Sequence, residues 1–266
     1  LSCSAVISVN WRKVNEPMSG HSKWHSIRHK KAAIDAKRGR MFTKVIKELS
    51  IAARMGGSDP AGNPRLRTAI QAAKDVNMPK DNIERAIKKG AGEMAGVSYE
   101  DFTFEGYGQA GVAILVEGTT DNMNRTAPEI RHLFGKYGGN MGEPGCVSWM
   151  FKKRGVIEIN AEGIDEDRVM EAALEAGAED VSNQGEVFRV LTGPADVESV
   201  RKSLEEADLP VIHSAVEMLS DNTIKVEGDQ AGKLLKLIEM LEEHDDVNNV
   251  WSNYEIDDAL IEQLSQ

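Results

Sequence analysis

The chain has 266 residues, of which 41% are hydrophobic and 28% are charged, so it can bury real cores and divide into two or three domains. No apolar run approaches the roughly 18 to 20 residues that a membrane helix needs, which excludes a membrane-embedded protein. The two cysteines, Cys3 and Cys146, lie far apart. This spacing excludes a disulfide framework and a cysteine-rich metal site, and it favours a cytoplasmic location.

Residues 1–17 are predicted to be an unstructured leader. Arg12 and Lys13 follow its short apolar start, which reverses the order found in a secretory signal. Met18 opens a more coherent sequence, and we expect it to be the physiological start. An organelle-targeting remnant is the alternative interpretation of the leader.

The formal net charge of −11 is distributed very unevenly along the chain. Residues 18–92 carry a net charge of +11, whereas residues 93–266 carry −23. A charged surface acts over only about a Debye length, roughly 8 Å at physiological salt. The basic segment can therefore attract nucleic acid although the whole protein is acidic.

The first helix predicted in the basic segment is amphipathic. At 100° per residue, its apolar side consists of Phe42, Val45, Ile46, Leu49 and Ala53. The opposite side carries Arg40, Lys44, Lys47 and Arg54. Gly56 and Gly57 are expected to end this helix.

Two further basic helices are predicted after it. The second is capped by Asn63 with Pro64 in its first turn, and it turns Leu66, Ile70 and Ala73 inward and Arg67, Gln71 and Lys74 to another side. The third follows Pro79, buries Ile83, Ala86 and Ile87, and ends at Gly90. The basic segment is thus predicted to be a small helical domain.

A cationic arm that contains Trp24 precedes these helices. Lysine and arginine neutralise phosphates, and an indole stacks on an unpaired base. We therefore predict a nucleic-acid interface, although a solvated basic surface with Trp24 in the core is the alternative. The predicted contact residues are His21, Lys23, Trp24, His25, Arg28, His29, Lys30, Lys31, Lys37, Arg38, Arg40, Lys44, Lys47, Arg67, Gln71 and Lys74.

His21, His25 and His29 recur every four residues and would form a column on a helix. Such a column could bind Zn²⁺, but no cysteine or obvious fourth ligand lies nearby, and neighbouring cations would weaken the site. Hydrogen bonding to phosphate or to a 2′-hydroxyl is the simpler use. No metal and no cofactor is predicted.

The acidic part alternates short strands with helices. The first predicted elements are strands at 102–105 and 111–118, a helix at 123–137 and a strand at 146–152. A βαββαβ series follows at 155–160, 165–176, 180–183, 186–191, 195–207 and 211–218. The last elements are 223–226, 230–244 and 250–256. This order predicts an α+β fold in which an N-terminal helical domain precedes two ferredoxin-like α/β domains, one inserted into the other.

The predicted domains follow from these elements. They are the leader at 1–17, the basic helical nucleic-acid-binding domain at 18–96, a discontinuous α/β domain at 97–153 and 219–258, the inserted ferredoxin-like α/β domain at 154–218, and a tail at 259–266.

Two glycine-rich motifs lack the neighbouring residues or elements that their usual function requires, and a basic turn allows two interpretations. Gly106–Gly111 matches GxGxxG, but a strand follows where a dinucleotide site needs a helix, so a hairpin turn is predicted. The glycines of 138–145 lack the Lys and Ser/Thr of a P-loop and are interpreted as a helix end, with ligand or RNA contact as the alternative. Lys152, Lys153 and Arg154 form a basic turn with either a phosphate-binding or a merely structural role.

Catalysis has no support in the sequence, because no acidic cluster combines a nucleophile, a base and an orienting group. The negative charge of residues 93–266 is interpreted as favouring solubility, with the docking of basic proteins as the alternative.

Several segments resemble the YebC family. They are 18–31, 42–44, 78–80 and 82–84, and the match extends through 107–108, 121–122, 124–125, 130–131, 138–140, Phe151 and Gly155. The resemblance covers the chain from Met18 nearly to its end. It implies three domains, a cytoplasmic bacterial protein or its mitochondrial relative, and a regulator of gene expression without catalytic residues. Members are described as DNA-binding transcriptional regulators, while others act in translation, including relief of ribosomes stalled on proline-rich stretches.

Three functions therefore stay open. The preferred one is a monomeric ribosome-associated factor whose basic domain contacts rRNA or tRNA. The second is a DNA-binding transcriptional regulator that reads base edges with Arg67, Gln71 and Lys74. The third is a protein-interaction adaptor that works through the acidic surface.

Overall fold

The computed structural model describes residues 34–93 and 99–264, with the backbone alone at 34–40, 258, 259 and 262. The described residues divide into two compact units. Residues 152–219 form one, and the described residues before 152 and after 219 form the other. In this part of the chain, no helix is both long and apolar enough to cross a membrane.

The helices and strands follow in this chain order: α1 Ile34–Gly56, α2 Pro64–Asp75, α3 Lys80–Gly90, β1 Glu100–Tyr107, β2 Ala113–Thr120, α4 Met123–Lys136, β3 Asn140–Met141, β4 Phe151–Asn160, α5 Glu166–Glu175, β5 Asp180–Asn183, β6 Val187–Thr192, α6 Val197–Glu206, β7 Val211–Ser220, β8 Ile224–Lys225, α7 Gly228–Glu243, β9 Val247–Ser252, β10 Tyr254–Glu255 and α8 Asp258–Leu264. Short 3₁₀ turns lie at Gln109–Gly111 and Ser148–Met150.

Helices α1, α2 and α3 enclose a core of their own. The predicted inward residues form it: Leu49, Ala53, Leu66, Ala73, Ile83 and Ala86 are buried, and Phe42, Val45, Ile46, Ile70 and Ile87 pack against them. The apolar sides predicted for the three helices are therefore confirmed. Helices α1 and α3 approach closely, since a Cβ on Gly90 would lie 2.1 Å from the carbonyl oxygen of Ser50.

Asn63 links the end of α1 to the start of α2. Its side-chain oxygen accepts from the Leu66 N–H at 3.0 Å, which confirms the predicted cap. Its amide nitrogen donates to the carbonyl oxygens of Ala52 at 2.7 Å and Gly57 at 2.9 Å. One buried side chain thus satisfies backbone groups on both sides of the turn.

The same unit contains an α/β part built on a four-stranded sheet in the order β3-β1-β2-β9. Strand β1 pairs antiparallel with β2 and β3, and β2 pairs antiparallel with β9. Helices α4 and α7 contribute Ile130, Phe134, Leu234 and Leu237 to a core shared with strand residues such as Ile114. Strands β8 and β10 form a separate parallel pair.

Residues 152–219 form the second unit, with strand order β5-β6-β4-β7. Helices α5 and α6 supply Val169, Ala173, Val200 and Leu204 to its core, opposite Ile157 and other strand residues. The βαββαβ sequence and this strand order are those of the predicted ferredoxin-like unit.

The α+β class is confirmed, and two strand predictions are wrong. Residues 146–150 form a turn and a 3₁₀ turn instead of a strand, and β4 starts only at Phe151. The single strand predicted at 250–256 is divided between β9 and β10, which belong to different sheets. Helix α8 was not predicted, and its Ile261 is buried in the core of the α/β part.

Candidate nucleic-acid interface

Most of the predicted cationic arm lies outside the described residues. This holds for His21, Lys23, Trp24, His25, Arg28, His29, Lys30 and Lys31, and so for the zinc alternative at the histidine column. Lys37, Arg38 and Arg40 lie on the first two turns of α1. The structure therefore bears most directly on the contact residues after position 40.

Lys47 lies inside the molecule. It is 7% exposed, and its ammonium group donates to the Asp246 carboxylate and, at 3.0 Å, to the carbonyl oxygen of Asp245. The prediction placed Lys47 on the solvent side of α1. That placement is corrected, because residues near the carboxyl terminus pack over this side of the helix.

Lys44 lies on the same side of α1 and donates to the carbonyl oxygen of Glu242 at 2.8 Å. Helix α7 ends at Glu243, so Lys44 meets a carbonyl oxygen of its last turn, whereas Lys47 meets one in the turn that follows the helix. The carbonyl oxygen of Glu242 lacks a partner within the helix and lies at the negative end of its dipole. The two cations therefore hold the basic helices against the α/β part.

Asp246 is the centre of this contact, with a side chain only 2% exposed. Besides Lys47, its carboxylate accepts from Arg125 at 2.7 Å and from the Thr126 hydroxyl at 2.6 Å. Burial alone would raise the pKa of Asp246, but Lys47, Thr126 and Arg125 together lower that pKa far below its ordinary value. Asp246 is therefore an internal anion at neutral pH.

A second contact connects the helical and α/β parts. Arg65 forms a two-pronged pair with the Glu48 carboxylate at 2.6 and 2.9 Å and also reaches Asp101 at 3.0 Å. These acceptors raise the pKa of Arg65. Arg54 donates to the carbonyl oxygen of Tyr99 at 2.9 Å. Arg54, predicted on the cationic side of the first helix, thus joins parts of the protein together with Arg65.

The predicted contact residues of α2 face solvent. Arg67, Gln71 and Lys74 are all exposed and recur at helical spacing. Arg67 donates to the two carbonyl oxygens of residues 60–61 at 2.7 and 2.9 Å, and Gln71 donates to Asp75 at 2.9 Å. The polar groups of Arg67 and Gln71 are therefore held by the domain itself.

Helix α3 adds exposed cations that the predicted contact set did not include. Arg85 and Lys88 are exposed, whereas Lys89 is half-buried with its ammonium 5.8 Å from the centre of the Tyr99 ring. Among the cations whose side chains the structure describes, the outward ones therefore lie mainly on α2 and α3, and the inward ones mainly on α1.

The glycine motifs have the structural roles that were predicted. The turn Gln109–Gly111 leads from β1 into β2, so the GxGxxG match is a hairpin and not the start of a helix. Gly138, with a φ of 77°, follows the end of α4. A side chain would be strained in that left-handed conformation, which accounts for glycine at this helix end.

The basic residues 152–154 belong to the other unit and begin strand β4, so the predicted basic turn is corrected to a strand. Lys152 and Lys153 are exposed, and Arg154 pairs with Glu179 at 2.6 Å. Extended backbone directs neighbouring side chains to opposite sides. The three cations therefore do not share one surface.

Sequence reasoning missed Asp246, Glu105 and Trp149. The partners of Asp246 and Glu105 lie far away along the chain, where periodicity carries no signal. A lone tryptophan beside a glycine-rich loop was the available signal for Trp149. Among the described residues, no group of three His, Cys, Asp or Glu side chains could hold a metal ion.

Two family models match the chain, one over the helical part and one over the rest. The TACO1/YebC N-terminal domain matches residues 22–93, and the TACO1/YebC second and third domain matches residues 99–254. A crystal structure of a conserved hypothetical protein from Aquifex aeolicus is similar to this fold with a TM-score of 0.75 and 47% identity. The match covers 87% of this chain and 96% of that one.

Curated relatives are similar over nearly their whole lengths. A "probable transcriptional regulatory protein" from Desulfotalea psychrophila is 56% identical, covering 94% of this chain and all of its own. Another so named, from Geobacter sulfurreducens, is 54% identical, covering 93% of this chain and 100% of its own. The chain belongs to the TACO1/YebC family.

Proposed function

We propose that the protein is a non-enzymatic, nucleic-acid-binding regulator of gene expression that acts in the cytoplasm on the ribosome. Its helical domain contacts rRNA or tRNA, and it relieves stalling at proline-rich sequences without bond chemistry. The supporting observation is the division of cations in the helical domain. One set joins the domain to the α/β part, and a second set, on α2 and α3, faces solvent.

The outward set suits phosphate contact better than base reading. Base reading needs freely directed donor groups, whereas Arg67 and Gln71 already bind acceptors within their own domain. Phosphate contact needs only positive charge near the backbone of the nucleic acid. This favours a structured RNA recognised by shape and charge over a specific DNA sequence.

The alternative is a DNA-binding transcriptional regulator. It is favoured by the names of the curated relatives and by the shared exposed side of Arg67, Gln71 and Lys74. Such a protein would keep its preference for a particular promoter over random duplex at moderate salt. Loss of that preference would indicate phosphate attraction alone.

Crosslinking in living cells, followed by sequencing of the attached nucleic acid, separates the two. The proposal expects rRNA or tRNA and co-migration with ribosomes on gradients at low salt, enriched during induced stalling. Recovery of discrete promoter DNA, with the protein free of ribosomes both in growth and during stalling, would overturn it.

A matched pair of variants tests the surface. Arg67→Glu with Lys74→Glu reverses outward cations of α2, whereas Lys202→Glu with Lys233→Glu reverses the same number of exposed cations in the acidic part. The first should weaken RNA binding and lower the salt dependence, with a slope change of about 1.4 for two phosphate contacts on a single strand. Equal effects of the two pairs would count against a contact surface on α2.

A further inference from the structure

Trp149 is a large apolar side chain that the fold leaves outside. It is 69% exposed and lies in the 3₁₀ turn Ser148–Met150, immediately before β4. Helical packing does not account for it, because the turn is too short to have an amphipathic side. The loop that holds Trp149 determines its exposure.

A buried carboxylate fixes that loop. Glu105, on β1, is 6% exposed and accepts from the backbone N–H groups of Gly145, Val147 and Ser148 at 2.7, 2.7 and 2.8 Å. Burial alone would raise the pKa of Glu105, but these three donors outweigh it and lower the pKa. The ionised carboxylate therefore holds the backbone before Trp149 in one conformation.

The indole itself is also held. Its Nε1 donates to the carbonyl oxygen of Cys146 at 3.1 Å, and the Tyr107 hydroxyl donates to the same oxygen at 3.0 Å. The one polar group of the indole is thus satisfied within the loop. What Trp149 offers to a partner is the apolar ring, already fixed in position.

Trp149 is solitary. Among the neighbouring residues of the loop, Val147 is buried and Met150 is half-buried, while Glu143, Pro144 and Gly145 are exposed. Protein-binding hot spots lie in clusters, ringed by contacts that exclude water. A single aromatic ring that is fixed and exposed is instead suited to stacking with a base.

We infer that Trp149 is a second nucleic-acid contact, a preorganised platform on which an unpaired RNA base stacks. This inference rests on the proposed function, since the cations of the helical domain must supply most of the attraction. It adds a requirement that phosphate contact alone does not impose, namely that the bound RNA exposes at least one unstacked base.

The test measures binding of the full chain to a single-stranded RNA of about 16 nucleotides and to the same sequence as a duplex. Trp149→Ala should weaken single-strand binding about 5- to 150-fold, the equivalent of about 1 to 3 kcal/mol. Trp149→Phe should retain most of the affinity. Duplex binding should not change, because paired bases are already stacked.

The salt dependence separates stacking from charge. An indole displaces no counterion, so Trp149→Ala should leave the slope of affinity against salt unchanged, unlike Arg67→Glu with Lys74→Glu. Ile212→Ala is the matched control, since Ile212 is 58% exposed, and it should have no effect. RNA should also quench tryptophan emission more in the unaltered protein than in Trp149→Ala.

The outcomes distinguish this inference from the proposed function. If the unaltered protein does not bind RNA, the proposed function fails. If it binds and Trp149→Ala binds equally well, the stacking inference alone is overturned. It is also overturned if Trp149→Ala keeps its RNA affinity but no longer sediments with ribosomes, because Trp149 would then contact a ribosomal protein.

Discussion

Asp246 holds a lysine of the basic helix α1 inside the protein. Its carboxylate binds Lys47 in a buried pair and holds Arg125 and Thr126 beside it. A buried pair of this kind is costly to break, because the remaining charge is left without compensation. The charge count of α1 is therefore a poor guide to the charge that it presents to solvent.

Asp246 should make stability depend on acid pH. Its folded pKa is lowered, so its contribution is present above the unfolded pKa of about 3.9 and is lost as pH falls below that value towards the folded pKa. The Asp246→Asn variant should have a free energy of unfolding about 3 kcal/mol lower at pH 7, because Lys47 stays buried without its counter-charge. Urea unfolding between about pH 7 and pH 2 measures both.

In the Asp246→Asn variant, the decline in stability below about pH 4 should be shallower than in the unaltered protein. Asp229→Asn, at an exposed position in the first turn of α7, is the control and should leave that acid limb in place. Parallel acid limbs in all three proteins would contradict the assigned role of Asp246.

Glu105 should control the reactivity of Cys146. Burial raises the pKa of the Cys146 thiol, and the negative charge of Glu105 raises it further. Glu105→Gln removes that charge and weakens the hold on the loop, so a larger fraction of thiolate should form at a given pH. Alkylation rates in a Cys3→Ser background measure this.

The expected result is faster alkylation of Cys146 in Glu105→Gln than in the Cys3→Ser parent at the same pH. Glu117→Gln, on the neighbouring strand β2, serves as the matched control. A rate unchanged by Glu105→Gln would show that the carboxylate neither restrains the loop nor acts on the thiol.

At the scale of elements, local signals predicted the helices well. The helix ends are marked by Asn63, Pro64, Pro79 and the glycines at the ends of α1 and α3. These residues act through local hydrogen bonds and backbone geometry, without distant partners. The strand predicted at 146–152 was wrong for the opposite reason. Its apolar residues resemble a strand, but the carboxylate of Glu105, on another element, draws the backbone into a turn.

The junction of α1 and α2 should depend strongly on Asn63. Asn63→Ala removes the cap of α2 and the hydrogen bonds to two carbonyl oxygens. We expect the free energy of unfolding to fall by about 2 kcal/mol or more. Asn82→Ala, at a half-buried position in the first turn of α3, is the comparison. Thermal unfolding followed by circular dichroism is the measurement, and similar midpoints for the two variants would contradict the bridging role.

For the whole molecule, the sequence predicted the succession of parts but not what joins the helical part to the α/β part. Periodicity reports which side of an element is apolar, and it cannot report that Lys47 meets a carboxylate 199 positions away. The candidate site was therefore predicted as one cationic surface. The structure divides the described cations into a joining set and an outward set.

Residues 152–219 should fold as a separate domain. Strands β4 and β7 are neighbours, and the Asn160 N–H donates to the carbonyl oxygen of Pro210 at 3.1 Å. The end of β4 thus lies beside the start of β7, so the two strands run in opposite directions. Their other ends, where the chain enters and leaves this unit, therefore also lie near each other. Replacing 152–219 by a short glycine-serine linker should leave the remaining fold intact.

Both the shortened protein and the isolated 152–219 fragment should show cooperative thermal unfolding. The fragment has its own core, with Ile157, Val169, Phe188 and Leu204 buried among its residues. A fragment that unfolds without a cooperative transition, or a shortened protein that loses the transition of the helical part, would refute this independence.

The placement of Lys47 and Asp246 has a consequence for how ionic conditions act on the protein. Salt screens exposed charges and competes for phosphate contacts, but it hardly reaches a pair withdrawn from water. Under the proposed function, rising ionic strength should therefore weaken RNA binding while the helical domain keeps its orientation on the α/β part. Release of RNA proposed in this way would leave the fold unchanged, so the protein could bind again without refolding.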